Sequence, residues 1–329
     1  MNAVQVVGLD IGYGFTKVMS GDAYDVFPSV VGDSIKAGYD NDLIKASLGK
    51  TITIQGNDWI TGESAQKHSR NSIAMFSRER TNQSEVIEVL FCAAMARLGI
   101  KGVIQLCTGL PVDWFEDKDK LTEILSGEHN FDVNGEPWLV FVDRVVVVPQ
   151  PFGSFFDMLM DGEGRLVRPD LSRGKVGIVD VGTYTTDVAL SDSLEYVAKA
   201  SGSKTSAMST VWREIRDDIR RLYGIEYELH EIDGLLLGGK PLIVQGKVVN
   251  INSLVQRAVD GLSKRVVSVC RETWGKALDF NLIILTGGGA PYVREAMGKV
   301  YPHSQVVFAP HVGNLRGFYK YMLRKSKIK

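Results

Sequence analysis

The sequence predicts an α/β protein built from two similar lobes, and three observations predict it. A buried strand ending in aspartate, a glycine turn and a second strand occur together at residues 6–10, Gly12-Tyr13-Gly14 and residues 16–19. The same unit recurs 170 positions later, at residues 176–180, Gly182-Thr183-Tyr184 and residues 187–190, which is about half the chain (Asp10 against Asp180). Strands and helix-period segments alternate through the rest.

Taken in order, Val4-Gln5-Val6-Val7-Gly8-Leu9-Asp10 is β-branched, apolar and closed by the turn, which marks a buried strand. The strand after it, and a third near residues 25–28, follow too closely for a crossover helix, so they pair antiparallel. Residues 51–60 form a hairpin expected to turn at Gly56-Asn57. Residues 83–99 place Val86, Ile87, Leu90, Phe91, Ala94, Met95 and Leu98 at helical spacing, and Gly99 stops the helix. A strand at 103–107, a helix over roughly 114–126, a hairpin at Asn134-Gly135 and a strand at 145–148 complete the first half. In the second half, helices over roughly 205–223 and 252–274 precede a strand at 282–285. Thr286-Gly287-Gly288-Gly289-Ala290-Pro291 then leads into a helix near Tyr292, and the last helix covers about 312–325. A helix near residues 149–160 joins the halves, with no low-complexity linker.

Composition narrows the function classes. The chain of 329 residues is 44% hydrophobic and 23% charged, enough for two cores. Lys+Arg 38 against Asp+Glu 39 gives a net charge of −1, so no direct attraction to nucleic acid or an anionic membrane is built in. Cys92, Cys107 and Cys270 are odd in number and far apart, which argues against a disulfide framework or a zinc site and fits a reduced, cytoplasmic setting. No signal peptide or membrane span is expected, because Asp10 interrupts the first apolar run and later apolar stretches are short.

The chemistry lies in the glycine turns, where backbone N–H groups approach an anion without a Cβ in the way. Amides from Gly12 through Tyr13 and Gly14 to Phe15 could line a phosphate chain, with charge added by Lys17. Gly182, the Thr183 hydroxyl and Tyr184 could act from the other lobe. One carboxylate per strand end, Asp10 and Asp180, suits a hydrated Mg²⁺, which takes few direct protein ligands. Gly287-Gly288-Gly289 stands before a helix and could receive a nucleoside or phosphate. An isolated Asp-x-Gly is an ordinary tight turn, so the conjunction of the three carries the argument. Neither a dinucleotide-binding fingerprint nor a Walker A sequence is present.

Five segments in this order resemble the actin/sugar-kinase/heat-shock-chaperone ATPase superfamily. Residues 8–17 resemble its first phosphate motif, residues 179–187 its second, and residues 285–291 its adenosine motif. Val148-Pro149-Gln150-Pro151-Phe152-Gly153 is similar to the first connecting helix and Asn314-Leu315-Arg316-Gly317-Phe318 to the second. The length, the opening Gly8-Leu9-Asp10-Ile11-Gly12-Tyr13-Gly14 and the ending at 312–318 resemble the ParM/StbA plasmid-segregation actins and their archaeal actin-like relatives.

The resemblance implies an actin-like, ribonuclease H-like duplicated fold with mixed sheets, helices on both faces and a nucleotide in the inter-lobe cleft. Residues 1–149 plus 311–329 would form one domain and 150–310 the other. It implies ATP (or GTP) and Mg²⁺, assembly of the protein with itself into filaments, hydrolysis after assembly, and an adaptor protein that couples filament ends to plasmid DNA. Asp10 and Asp180 match the positions that organise Mg²⁺ through water, and Gln150 the residue that orients the attacking water. Lys17 matches a phosphate contact, Asp187 a supporting acid, Gly288 and Gly289 the purine contact, and Tyr292 a residue covering the base or a core tyrosine. Gly317 fits a close helix approach. The ribose-binding helix has no clear match, although residues 227–236 contain Glu228 and Glu231. Two other functions share these motifs: a small-molecule kinase of the same superfamily, and a nucleotide-gated scaffold that does not polymerise.

Overall fold

The computed structural model describes residues 4–34, 49–69, 71–74, 84–236 and 241–327. Its contacts divide the chain into two compact units, Met1–Pro169 with Val312–Lys329, and Asp170–His311. The domain limits expected from the sequence differ at His311 and at residues 150–169, the latter because the helix at Phe152–Leu159 packs along the C-terminal helix within the first unit.

Strands of the first unit are β1 (Gln5–Ile11), β2 (Phe15–Ser20), β3 (Ala23–Pro28), β4 (Val30–Asp33), β5 (Ile52–Ile54), β6 (Asn57–Thr61), β7 (Ile73–Ala74), β8 (Gly102–Leu110), β9 (Gly127–Val133) and β10 (Glu136–Pro149). Those of the second are β11 (Lys175–Val181), β12 (Thr186–Asp192), β13 (Glu195–Tyr196), β14 (Gly202–Lys204), β15 (Leu242–Val244), β16 (Lys247–Val249), β17 (Leu282–Thr286) and β18 (Ser304–Val306). Along the chain the main helices are α1 (Glu63–His68), α2 (Ser84–Leu98), α3 (Lys118–Leu125), α4 (Phe152–Leu159), α5 (Met208–Tyr223), α6 (Leu229–Leu236), α7 (Asn252–Trp274), α8 (Ala290–Val300) and α9 (Gly313–Lys327).

The first sheet runs β3-β2-β1-β8-β10-β9-β5-β6-β4-β7, with β1 parallel to β8 and antiparallel to β2. In the second unit the order is β13-β12-β11-β17-β18, with β11 parallel to β17 and antiparallel to β12. The expected duplication is therefore a real repeat of topology: each unit opens on a hairpin whose first strand also pairs with a later, parallel strand. Two details depart from the sequence reading. The hairpin at 51–60 turns at Gln55-Gly56, where both residues have positive φ (49° and 82°), one position earlier than expected. The expected helix at 114–126 begins as a 3₁₀ segment, Val112–Asp117, and becomes α-helical only at Lys118.

α2 is buried along nearly its whole length, from Val86 to Ala96, against Leu9, Ile104 and Val142 of the sheet. A helix apolar on all sides belongs inside a core rather than on a surface. α9 covers the opposite face, where Cys107, Val148, Phe318 and Met322 cluster. In the second unit α5 buries Val211, Trp212, Ile215 and Ile219, and its polar face carries the pairs Arg216–Asp217 and Arg221–Asp218. Among the described residues no helix is long and apolar enough to cross a membrane.

α4 and α9 meet backbone to backbone. A Cβ on Gly153 would lie 2.6 Å from the Asn314 carbonyl oxygen, and one on Gly317 would overlap the Gly153 carbonyl. Asn314 Oδ1 accepts from both the amide and the hydroxyl of Ser154, and Asp157 pairs with Arg316 and Lys320. The expected close approach at Gly317 is thus present, and the partner surface is backbone that cannot rotate away. Gly317→Ala should destabilise the first unit by about 2–3 kcal/mol, through forced separation of the two helices. Urea denaturation checks this, and a wild-type midpoint would contradict it.

Candidate functional site

In the first unit, β1 delivers Asp10 to the sheet end and the turn reverses the chain into β2, so that Asp10 stands opposite Lys17. Asp10 is 1% exposed, and burial of a carboxylate requires compensation. Lys17 Nζ lies 2.7 Å from Oδ2, and Gln150 Nε2 donates to Oδ1 at 3.0 Å. Gln150 reaches this point because β10 ends beside β8, its amide donates to the Leu110 carbonyl, and residue 109 is glycine, where a Cβ would press to 2.9 Å from the Gln150 Cα. Three candidate residues drawn from positions 10, 17 and 150 therefore form one hydrogen-bonded group.

The turns of the two units share one geometry. Gly12 N donates to Phe15 O at 2.9 Å, and Gly182 N donates to Thr185 O at 2.9 Å. This corrects the expectation that every amide from residue 12 to 15 faces a ligand: the Gly12 amide is spent closing its own turn. Gly14 accepts from Ser29 N, and the Tyr13 ring is buried edge-on against Trp114, with centroids 5.4 Å apart. Any ligand contact from Tyr13 would come from its backbone.

In the second unit Asp180 is 5% exposed at the end of β11, beside β17. Gly287 has φ +82°, and a Cβ there would overlap both Asp180 Oδ1 and the Val181 carbonyl. Gly289 N donates to Val181 O at 2.9 Å, which ties the glycine run to the Asp180 loop. Gly288 is the exposed crest of that run, with open space around it. α5 begins at the same loop: Met208 N and Ser209 N donate to the carbonyls of Gly182 and Thr183, serving amides that Ala207 cannot cap. The Tyr184 ring lies 5.7 Å from the Arg213 guanidinium. Asp187 is buried and accepts from Thr185 Oγ1 at 2.8 Å and from Ser203 Oγ, so its carboxylate fastens β12 to β14. Tyr292 is half-buried against the second core.

Sequence reasoning missed Asp233. Glu231, in the segment singled out earlier, accepts from the Glu228 amide at 2.8 Å and caps α6. Asp233 instead lies in register with Leu229, Ile232 and Leu236 on the inward stripe of α6, and that helical phase was the available signal. Its Oδ1 is buried with no hydrogen-bond partner, and burial pushes the carboxyl up to about 6. Burial, and then the Asp233 charge, raise the Tyr292 hydroxyl above its usual range.

Among the described residues no group of three or more His, Cys, Asp or Glu could hold a metal ion alone. Each unit by itself offers a single buried carboxylate at a strand end, Asp10 in the first and Asp180 in the second.

Residues 8–153 match the family of actin-like protein N-terminal domains, and residues 178–299 match the C-terminal domain of the archaeal, MreB-like actin homologues. The chain is similar to the archaeal actin homologue Ta0583 in complex with ADP (20% identity, TM-score 0.79, covering 98% of this chain and 100% of that one). It is also similar to apo pSK41 ParM (21%, TM-score 0.74, 98% and 98%) and to a 15-stranded ParM filament from Clostridium botulinum (19%, TM-score 0.79, 98% and 100%). At these identities the likeness establishes the actin-like fold. No curated protein sequence matches the chain.

The Asp233 geometry sets a pH dependence. Its folded value of about 6 lies above the ordinary 3.8, so the stabilisation of its protonated form is fully present below pH 3.8 and is lost as pH rises through 6. Asp233→Asn should flatten the fall in stability between these limits and leave the variant more stable at pH 7.5, by about 1–3 kcal/mol. Denaturant midpoints across pH test it, and a variant that tracks the wild-type curve would contradict it.

Proposed function

We propose that this chain, actin-like in fold, binds ATP (or GTP) with Mg²⁺, assembles with itself into filaments, and hydrolyses the nucleotide after assembly. The observation that carries the reading is the grouping of Lys17 and Gln150 on the buried Asp10 carboxylate. The ADP bound to Ta0583 and the filament formed by the Clostridium botulinum ParM support it by likeness of fold.

Asp10 and Asp180 would hold Mg²⁺ through water, and the ion would neutralise charge on the phosphates. The chain's own groups do the rest. Exposed backbone of the two loops and of Gly288 binds the nucleotide, and Lys17, 18% exposed, turns its ammonium from Asp10 toward a phosphate oxygen. Because Gln150 gives its Nε2 hydrogen to Asp10, its Oε1 is presented as an acceptor for the attacking water. An amide cannot take the proton, so Gln150 acts by orientation, a role suited to phosphoryl transfer, where positioning and charge dominate. A kinase acting on a sugar or acid would need a carboxylate base for its acceptor, and the side chain in that place is an amide. Tyr292, whose amide donates to the Gly289 carbonyl, follows the glycine run on the side that would take the nucleoside, and the Asp233 charge acts on its hydroxyl. As the resemblance of residues 8–14 and 312–318 implies, an adaptor protein would link the filament to plasmid DNA; the net charge of −1 favours an indirect link.

Pelleting and phosphate release, measured with and without Mg·ATP, test the proposal together. Gln150→Ala should slow turnover by roughly one to two orders of magnitude while nucleotide-dependent pelleting persists. Turnover equal to wild type would remove Gln150 from the mechanism, and a wild type that never pellets with nucleotide would overturn the filament reading.

A further inference from the structure

The outer face of the first sheet carries an apolar stripe that α9 stops short of covering. On this face β8 offers Val103, Gln105, Cys107 and Gly109, while β10 offers Leu139 and Phe141 before its bulge and Arg144, Val146 and Val148 after it. α9 seals the end near Cys107 and Val148, and its last turn reaches only as far as Gln105, which accepts from Ser326 Oγ at 2.7 Å. Beyond that point Val103 pairs in register with Phe141, and Val4 directly precedes Gln5, the residue opposite Ile104. Val4, Val103 and Phe141 thus form a row across three adjacent strands, about 10 Å wide, with Leu139 two residues along β10.

These four side chains are between 41% and 49% exposed. On a solvent face the strand period places polar residues, and here four apolar ones stand together. The border is charged, with opposite signs on neighbouring sides. Glu128 of β9, accepting from Asn130 Nδ2, stands directly opposite Phe141, with Asp132 further along the same strand; Arg144, donating to the Lys325 carbonyl of α9, bounds the other end, where the neighbouring Asp143 carboxylate is engaged by Gln105 Nε2 at 3.1 Å. A two-fold axis lying in the face between Glu128 and Arg144 would lay one stripe on its copy and set each Glu128 against the copy's Arg144. A stable contact buries roughly 800 Å² per partner, more than four half-exposed side chains supply, so the charged borders must take part and fix the orientation.

We propose that this face is a symmetric docking surface for a second copy of the chain. It needs no nucleotide, and so stands apart from head-to-tail assembly into a filament. Sedimentation velocity of the full chain without nucleotide, over a range of concentrations, should show reversible dimers. Phe141→Arg, an outward-facing change whose fold is checked by its thermal melt, should weaken association at least tenfold. Glu128→Arg should weaken it as well, and Glu128→Arg combined with Arg144→Glu should restore it, because each reversed charge meets its reversed complement. A wild type that stays monomeric at every concentration, including one that captures a different partner on this face, overturns the proposal. So does a Phe141→Arg variant that associates like wild type. Nucleotide-dependent pelleting of the same variants is scored separately, so failure of the dimer leaves the filament reading untouched and failure of the filament leaves the dimer test intact.

Discussion

A carboxylate buried at the end of a strand is the constraint from which the rest of the molecule is arranged. Asp10, almost wholly shielded from water, is held by one ammonium and one amide, and each comes from a different part of the chain. An isolated charge in that position would cost several kcal/mol, so the turn that returns Lys17 and the β10 end that carries Gln150 must form together with β1. The second unit repeats the strand, the turn and the buried Asp180, with the glycine run at 287–289 packed against that carboxylate.

Small residues do the corresponding work in packing. Gly109, Gly153 and Gly317 remove side chains where β8, α4 and α9 converge, which lets Gln150 lie beside the sheet and lets two helices touch through their backbones. The ion pairs of Asp157 with Arg316 and Lys320 then pin the crossing from its flank. Positioning of the amide near Asp10 therefore depends on packing more than ten residues distant from it in sequence, as well as on its own hydrogen bond.

The sequence made the duplicated hairpins and the glycine run legible because buried strands, turns and an aspartate at a strand end are local signals that do not require knowledge of distant partners. It also placed Lys17, Gln150 and Asp10 in one site through their resemblance to known motifs. What stayed hidden depended on contacts between segments. Asp233 sits on an inward helical stripe where an acid is unexpected, and its burial emerges only when α6 meets the core. The assignment of residues 150–169 to the first unit follows from the glycine contact of α4 with α9, which no periodicity reveals. The commitment of the Gly12 and Gly182 amides to their own turns is likewise a matter of geometry rather than composition.

The central claim is that both acidic loops serve one magnesium-bound nucleotide. Isothermal titration calorimetry of the full chain with Mg²⁺ and a non-hydrolysable ATP analogue tests it most directly. The account predicts a single equivalent per chain, with affinity lost on changing either Asp10 or Asp180 to alanine in a protein that still melts cooperatively. Two independent equivalents, or undiminished affinity in either variant, would contradict it.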